Sequence, residues 1–360
     1  MKLISFIIIA SDSSYYLLGG GFRWKHLAEA LVSNDVIDVN FLGDDDRERS
    51  FKNFFKKIIG KKSIGKVNVN SFESFDIKAY IKKVKSLGIK ETILIVEKPN
   101  HSALSFIKKI KHKRFRKRIV YDCIDNWRGS SFLAKGWYSE KIEKDIIREA
   151  DLVMFAAREQ LPFPKIKNKQ TYLLENAVNL EIFNPKPNLF KPKDLTKRLL
   201  TLIFVGTICG DWIDWKLIKK ISDYYGNNLA INFLGAYNGE CPFRASNMYF
   251  LQEKKNKELP AYYRNCDAGI IPFVKNEYTK VLRPLKVYEY IACDLPTVSL
   301  YIEGIKNFPN VLLAHNYNGF IDHLETIRKK RFKKSDKKEI RIFLEGNNWD
   351  KRIKDFLSFC

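Results

Sequence analysis

Residues Tyr262 to Ser299 read YYRNCDAGIIPFVKNEYTKVLRPLKVYEYIACDLPTVS. The apolar run Ala268 to Pro272 has the length of a buried strand, and a loop carrying Lys275, Lys280, Arg283 and Lys286 follows it. A helix that begins near Pro284 uses proline's fixed φ in its first turn and presents backbone N–H groups toward an anion. Ammonium and guanidinium groups beside such a helix start suit a diphosphate. Glu289 lies one helical turn and a little more beyond Lys286, where a carboxylate can accept hydrogen bonds from ribose hydroxyls. The competing reading of the same residues is a solvated basic loop with an exposed helical Glu.

Working outward, apolar runs of strand length alternate with stretches of helical periodicity. They are Leu3 to Ile9, Val36 to Leu42, Thr92 to Val96, Arg118 to Tyr121, Leu152 to Phe155 and Tyr172 to Leu174. Such alternation predicts a parallel sheet covered by helices. Prolines and lysines break the pattern over residues 184–198, which read as a linker. The alternation then restarts with Leu199 to Val205, Leu229 to Leu234, Ala268 to Pro272 and Thr297 to Leu300. The fold class expected is α/β, with two doubly wound Rossmann-like domains over residues 1–183 and 199–346.

Ligands of open parallel sheets bind outside the carboxyl ends of the strands. The unusual residues sit at such places. Gly19, Gly20 and Gly21 follow the first strand, Asp122 and Asp125 follow Ile119-Val120-Tyr121, and Gly206 with Thr207 follows the first strand of the second domain. Each glycine also fits a tight turn, and each Asp a helix or turn cap. No G-x-G-x-x-G occurs, which argues against a nicotinamide enzyme.

Further motifs accompany this pattern: Pro284-Leu285-Lys286, Glu289-Tyr290-Ile291-Ala292 and Pro296-Thr297-Val298-Ser299, and before them Glu149-Ala150-Asp151-Leu152-Val153, Glu175-Asn176-Ala177-Val178-Asn179 and Phe204-Val205-Gly206. Together they resemble, in order and over most of the chain, the group 1 or family 4 glycosyltransferases. The resemblance implies a GT-B fold, two Rossmann-like domains facing each other across a cleft. Trp349 and Arg352 resemble that family's terminal helix, here 347–360, which crosses back to the first domain. It implies a nucleotide-diphosphate sugar as donor, held by the C-terminal domain, and a glycan acceptor on the N-terminal side. No tightly bound cofactor is implied, and transfer is expected to be metal-independent.

Glu289 matches the second Glu of the family's Glu-x7-Glu motif, which contacts the nucleotide ribose. The first Glu would fall at Val281 or Leu282, and the Arg and Lys that many relatives place after the glycine are replaced by Thr207-Ile208-Cys209-Gly210-Asp211-Trp212. Lys280, Arg283 and Lys286 are then left to neutralise more of the diphosphate. Asp122 and Asp125 are the candidate catalytic residues. They could remove the acceptor's proton or bind sugar hydroxyls, so the anomeric outcome stays open.

The chain has 64 Lys plus Arg against 41 Asp plus Glu, a formal charge of +23, which favours polyanionic surroundings or reflects composition alone. Phe51 to Lys62 read FKNFFKKIIGKK, with Phe51, Phe54, Phe55, Ile58 and Ile59 on one helical face and Lys56 and Lys57 beside it. A basic amphipathic helix fits an anionic membrane surface; a helix packed on its own sheet fits the same pattern. Lys108 to Lys117 form a second basic run. The six scattered cysteines make no metal or disulfide pattern, and no run approaches the roughly 20 apolar residues that span a bilayer. Met1 to Ala10 is read as a first strand rather than a leader. A cytoplasmic protein follows, at most peripheral on the inner face of the cytoplasmic membrane.

The function expected is sugar transfer to a glycan, lipid-linked and destined for the cell envelope. The alternatives are a degenerate GT-B partner protein, a nucleotide-sugar epimerase, and a DNA-directed glycosyltransferase; no recognition-helix or RNA-binding motif supports nucleic acid as a partner.

Overall fold

Six consecutive buried residues, Ile4–Ile9, form β1, and the strands Glu91–Val96 (β4), Leu200–Val205 (β8) and Leu229–Leu234 (β10) are likewise buried throughout. Strands without a polar face must be covered on both sides, as parallel strands between helical layers are. The structure, a computed structural model, describes residues 4–9, 23–33, 38–43, 66–71, 75–129, 136–160, 170–183, 190–209, 212–238 and 241–359. Gly19, Gly20 and Gly21 lie outside the described residues, as do Phe51, Phe54, Phe55, Lys56 and Lys57.

The first sheet has the order β3-β2-β1-β4-β5-β6-β7, with β2 Asp38–Gly43, β3 Lys66–Ser71, β5 Lys117–Cys123, β6 Leu152–Phe155 and β7 Gln170–Leu173, and all its pairings are parallel. Helices Arg23–Ser33 (α1), Ile77–Ser86 (α2), His101–Lys111 (α3) and Glu140–Glu149 (α4) lie between its strands in sequence. Asp76 and Asn100 start α2 and α3 by accepting first-turn N–H groups. Phe106, Ile107 and Ile110 of α3 and Ile146 of α4 meet Leu94, Tyr121 and Val153 in one core. In the basic run beginning at Lys108, the apolar side of α3 faces that core while Lys108, Lys109 and Lys111 are exposed.

The second sheet runs β12-β10-β8-β13-β14-β15, with β12 Met248–Leu251, β13 Ala268–Ile271, β14 Thr297–Leu300 and β15 Val311–Ala314, again all parallel. The short strands Ile208–Cys209 (β9) and Tyr237–Asn238 (β11) pair beyond its carboxyl edge. Helices Trp215–Tyr225 (α5), Leu285–Ala292 (α6), Tyr317–Arg328 (α7) and Lys337–Gly346 (α8) belong to this half, and Trp349–Phe359 is α9. Its core gathers Phe204, Phe233, Ile270, Tyr288, Tyr290, Val298 and Phe320.

The chain divides into two compact units, one reaching Glu175 and taking back Ile353–Cys360, the other holding Asn176–Arg352. The division falls before residue 183 because Val178 and Phe183 belong to the second core, where Phe183 stacks on Tyr263 at 6.0 Å. Leu195, within the stretch read as linker, is buried there too. In the first unit Phe356 of α9 is fully buried, and its ring centroid lies 5.8 Å from that of Tyr172 on β7.

Candidate functional site

Strand order reverses between β8 and β13 in the second unit, the position at which the carboxyl ends of neighbouring strands leave a crevice. Gly206, directly after β8, has φ +136, and a Cβ there would fall 2.9 Å from Lys286 Nζ and 3.2 Å from its Cε. Lys286 comes from the first turn of α6, and its ammonium rests 4.9 Å from the centroid of Phe204 and 5.2 Å from that of Phe273. Gly235, after β10, has φ +149, and a Cβ there would meet Gly206 O at 2.1 Å. Two glycines thus let two strand ends close on each other beneath one ammonium.

Burial pushes the Lys286 pKa down from 10.5 to about 8, with the Glu289 carboxylate acting in the opposite sense. A half-desolvated cation over bare backbone is poised to gain from an arriving anion. Pro284 is the N-cap of α6 and makes no side-chain cap hydrogen bond to the helix start beside Lys286. Thr207 O accepts the indole N–H of Trp212 at 3.1 Å.

The other residues expected on the donor side stand differently. Glu289 is 5 % exposed and accepts the Tyr263 O–H at 2.7 Å. Burial, then the Glu289 charge, raises the Tyr263 phenol well above its ordinary value, so it remains a donor. Lys280 is exposed and paired with Glu277, which lowers its share of any diphosphate charge. Arg283 lies with its guanidinium 5.8 Å from the Phe308 ring, and a Cβ on Gly304 would meet its Cγ at 2.9 Å. Its carbonyl accepts from Asn176 Nδ2 at 2.8 Å. Of the three cations expected to converge, the structure brings Lys286 to Gly206, turns Arg283 toward the Glu303–Ile305 turn, and commits Lys280 to its neighbour.

In the first unit the reversal lies between β1 and β4. Asp122, at the end of β5, is fully buried and gripped by Arg23 of α1, Nε to Oδ2 at 3.0 Å and Nη2 to Oδ1 at 3.4 Å. A carboxylate held through both oxygens by a buried guanidinium is poorly placed to take up an acceptor's proton and suits holding the loop after β5. Asp125 lines a small recess with Cys123, Asn126, Trp127, Glu143 and Gln160. Tyr121 and Tyr138 donate their hydroxyls to the two oxygens of Glu143, at 2.6 and 2.7 Å. Burial and then the Glu143, Asp122 and Asp125 charges hold the Cys123 thiol well above its ordinary pKa, which removes a thiolate nucleophile from consideration.

Buried polar residues of this region that the sequence did not single out include Arg23 and His26 on α1, and Glu97, which follows β4 and is 3 % exposed. Glu97 directly after a Thr92 to Val96 strand was the available signal, since strand ends carry sites. Arg23 and Asp122 are 99 residues apart, and topology alone joins them. Among the described residues no group of three or more His, Cys, Asp or Glu is placed to hold a metal ion. Among them also, no helix is long and apolar enough to cross a membrane.

No protein-family model matches the chain. A curated protein of Bacillus subtilis (strain 168), described as a putative teichuronic acid biosynthesis glycosyltransferase, TuaH, is 25% identical over 200 residues, 50% of this chain and 50% of that protein. The match therefore spans about half the length of that curated relative. Solved structures align over the whole length. A sucrose-phosphate synthase from Thermosynechococcus elongatus superposes with a TM-score of 0.64 at 14% identity, covering 100% of this chain and 98% of that one. Anabaena HepE, solved in complex with UDP, gives 0.64 at 12% with both chains fully covered. The lipopolysaccharide outer core galactosyltransferase WaaB in its apo form gives 0.62 at 14%, again with 100% of both chains. The fold is GT-B, as the sequence motifs implied.

Proposed function

We propose that this protein is a glycosyltransferase that moves a sugar from a nucleotide-diphosphate donor to a glycan acceptor. The observation that carries the proposal is the Lys286 ammonium, set over the bare backbone of Gly206 at the reversal of strand order. Fold alone does not define chemistry. A cation with a lowered pKa beside an uncapped helix start can donate to a diphosphate, and a buried carboxylate one turn on can accept from its ribose. The UDP named with HepE and the activity named for the curated relative agree with it.

In this proposal Lys286 and the first N–H groups of α6 take the charge that develops on the leaving diphosphate, and Gly206 gives it room. Glu289, steadied by Tyr263, orients the ribose. Arg23 and Asp122 hold the acceptor-side loop after β5, and Asp125 is the carboxylate in contact with the acceptor. Neutralisation by Lys286 makes transfer metal-independent, so sugar transfer should survive chelation by EDTA. A requirement for added Mg²⁺ would remove that part of the proposal. The relative named for teichuronic acid biosynthesis supports an envelope polysaccharide as product, and the acceptor in this proposal is a lipid-linked glycan. The exposed lysines of α3 would then rest on an anionic membrane surface, with the protein peripheral on its cytoplasmic side.

The test is transfer from radiolabelled nucleotide sugars to lipid-extracted acceptors by wild type, Lys286→Gln and Asp125→Asn. Lys286→Gln should raise KM for the donor, and Asp125→Asn should lower kcat with donor binding kept. Conversion of the donor sugar without acceptor would identify an epimerase instead, and no turnover with any donor a non-catalytic partner protein.

A further inference from the structure

A second recess opens in the nucleotide-binding unit, of about 590 Å³, and it shares no residue with the Gly206 and Lys286 site. It lies outside the carboxyl ends of β13, β14 and β15, where Lys275, Leu300 and His315 reach it. Helix α5 brings Lys220 and its N-cap Asp214, and helix α7 brings Tyr317 and Asn318 behind its own N-cap, Asn316.

The hydrogen bonds already made inside this lining decide what it can bind. Asp214 supplies its one carboxylate, and both oxygens are occupied: Oδ1 accepts from the Leu217 N–H at 3.0 Å and Oδ2 from the Tyr317 hydroxyl at 2.7 Å. Burial and the Asp214 charge raise the Tyr317 pKa to about 12, so that bond persists at neutral pH. Asn316 Oδ1 accepts from the Gly319 N–H at 2.9 Å, and Asn318 Oδ1 from Lys220 Nζ at 2.6 Å. Lys275 Nζ donates to His315 O. The side-chain carboxylate and amide oxygens are therefore turned to the protein, whereas each ammonium keeps further N–H groups and each carboxamide keeps its NH₂. The charges of Lys220, Lys275 and Asp214 leave the lining positive. His315 is held flat against Tyr301, with ring centroids 4.8 Å apart.

We propose that this recess binds an anionic saccharide, a sugar bearing a carboxylate or phosphate, as a site separate from the nucleotide. A donor-rich positive lining selects the anion. The volume is that of a small-molecule site and far exceeds one phosphate or carboxylate group, while the carboxamides and the imidazole suit hydroxyl groups around it. The saccharide part rests on the transferase function proposed above; the preference for an anion rests on the lining alone.

Calorimetric titration with glucuronate, glucose 6-phosphate, glucose, inorganic phosphate and UDP, on wild type and the doubly substituted Lys220→Gln/Lys275→Gln protein, separates the possibilities. Glucuronate or glucose 6-phosphate should bind at least about tenfold more tightly than glucose or inorganic phosphate. The double substitution should abolish that margin and leave UDP affinity within about twofold. Inorganic phosphate binding as well as glucose 6-phosphate would overturn the saccharide assignment, and unchanged binding in the substituted protein would overturn the site. Loss of UDP together with the anionic sugars would show one site instead of two. UDP failing to bind wild type while the anionic sugars do would sink the donor proposal and leave this one standing. Should the substituted protein not fold, the wild-type His315 imidazole resonances decide: they shift with glucuronate and not with UDP, and any other pattern contradicts the proposal.

Discussion

At the scale of residues, Lys286 sets a pH dependence whose sign follows from its environment. Its folded pKa of about 8 lies below the ordinary 10.5, so the folded protein releases this proton before the unfolded chain does. The charged form costs stability below about pH 8, and that cost is relieved as pH rises toward 10.5. Diphosphate binding runs the other way, because it needs the ammonium. Nucleoside diphosphate affinity should fall by about tenfold or more between about pH 7 and 9.5, while the terminal phosphate, mostly ionised at the start of that range, only gains charge. A Lys286→Arg protein, charged throughout, should lack the fall; a flat wild-type profile would contradict the role given to Lys286.

Asp122 makes a second residue-scale prediction. Arg23→Ala takes a buried guanidinium away from a fully buried carboxylate, so it should destabilise the protein by about 3–5 kcal/mol in urea unfolding. Arg23→Met combined with Asp122→Leu should recover much of the loss, and additive effects would show that the two groups do not depend on each other.

At the scale of elements, the ends of β8 and β10 rely on glycine for different reasons. A Cβ at Gly206 meets the end of a flexible lysine, whereas one at Gly235 meets the Gly206 carbonyl. Gly206→Ala should cost about 1–3 kcal/mol and weaken nucleotide binding by displacing Lys286. Gly235→Ala, which has only backbone to push against, should lower the melting temperature further. Equal, small effects at both positions would mean the loops adapt.

Element assignment also shows where the sequence was readable. The central strands, from Ile4 to Ile9 and from Leu200 to Val205, are apolar on both faces and declare themselves. Strands β3, β12 and β15 were not read, and each lies at a sheet edge. An edge strand needs less apolar sequence, and β3 reads KVNVNS, with a polar residue at every second position. Gly206, Lys286 and Glu289, the residues of the proposed donor site, were singled out in the sequence because they sit at fixed offsets from such central strands. Arg283 and Lys280 were drawn in by charge alone, and sequence could not show that Phe308 and Glu277 engage them. The Arg23 partner of Asp122 lies 99 residues away, so the sequence could not show that pairing.

At the scale of the whole molecule, the last helix completes the first unit. Ile353 and Phe356 of α9 are fully buried, and the Phe359 ring lies 4.5 Å from that of Tyr172. Phe356→Ala should therefore destabilise by about 3–5 kcal/mol, read as a shift in the unfolding transition of the first unit. An unchanged transition would mean that β7 does not need this cover. The same residue in sequence is only one aromatic in a basic amphipathic helix, which is why the terminal helix was placed by resemblance and not by pattern.

Calorimetric titration of UDP, GDP, ADP and CDP into wild type and Lys286→Gln at about pH 7 tests the donor site most directly. One nucleoside diphosphate should bind wild type in preference to the others, and the substitution should weaken it by at least about tenfold, the loss of one charge-assisted contact. Binding of none of the four to wild type, or equal binding to both proteins, would contradict a nucleotide-sugar site built on Lys286.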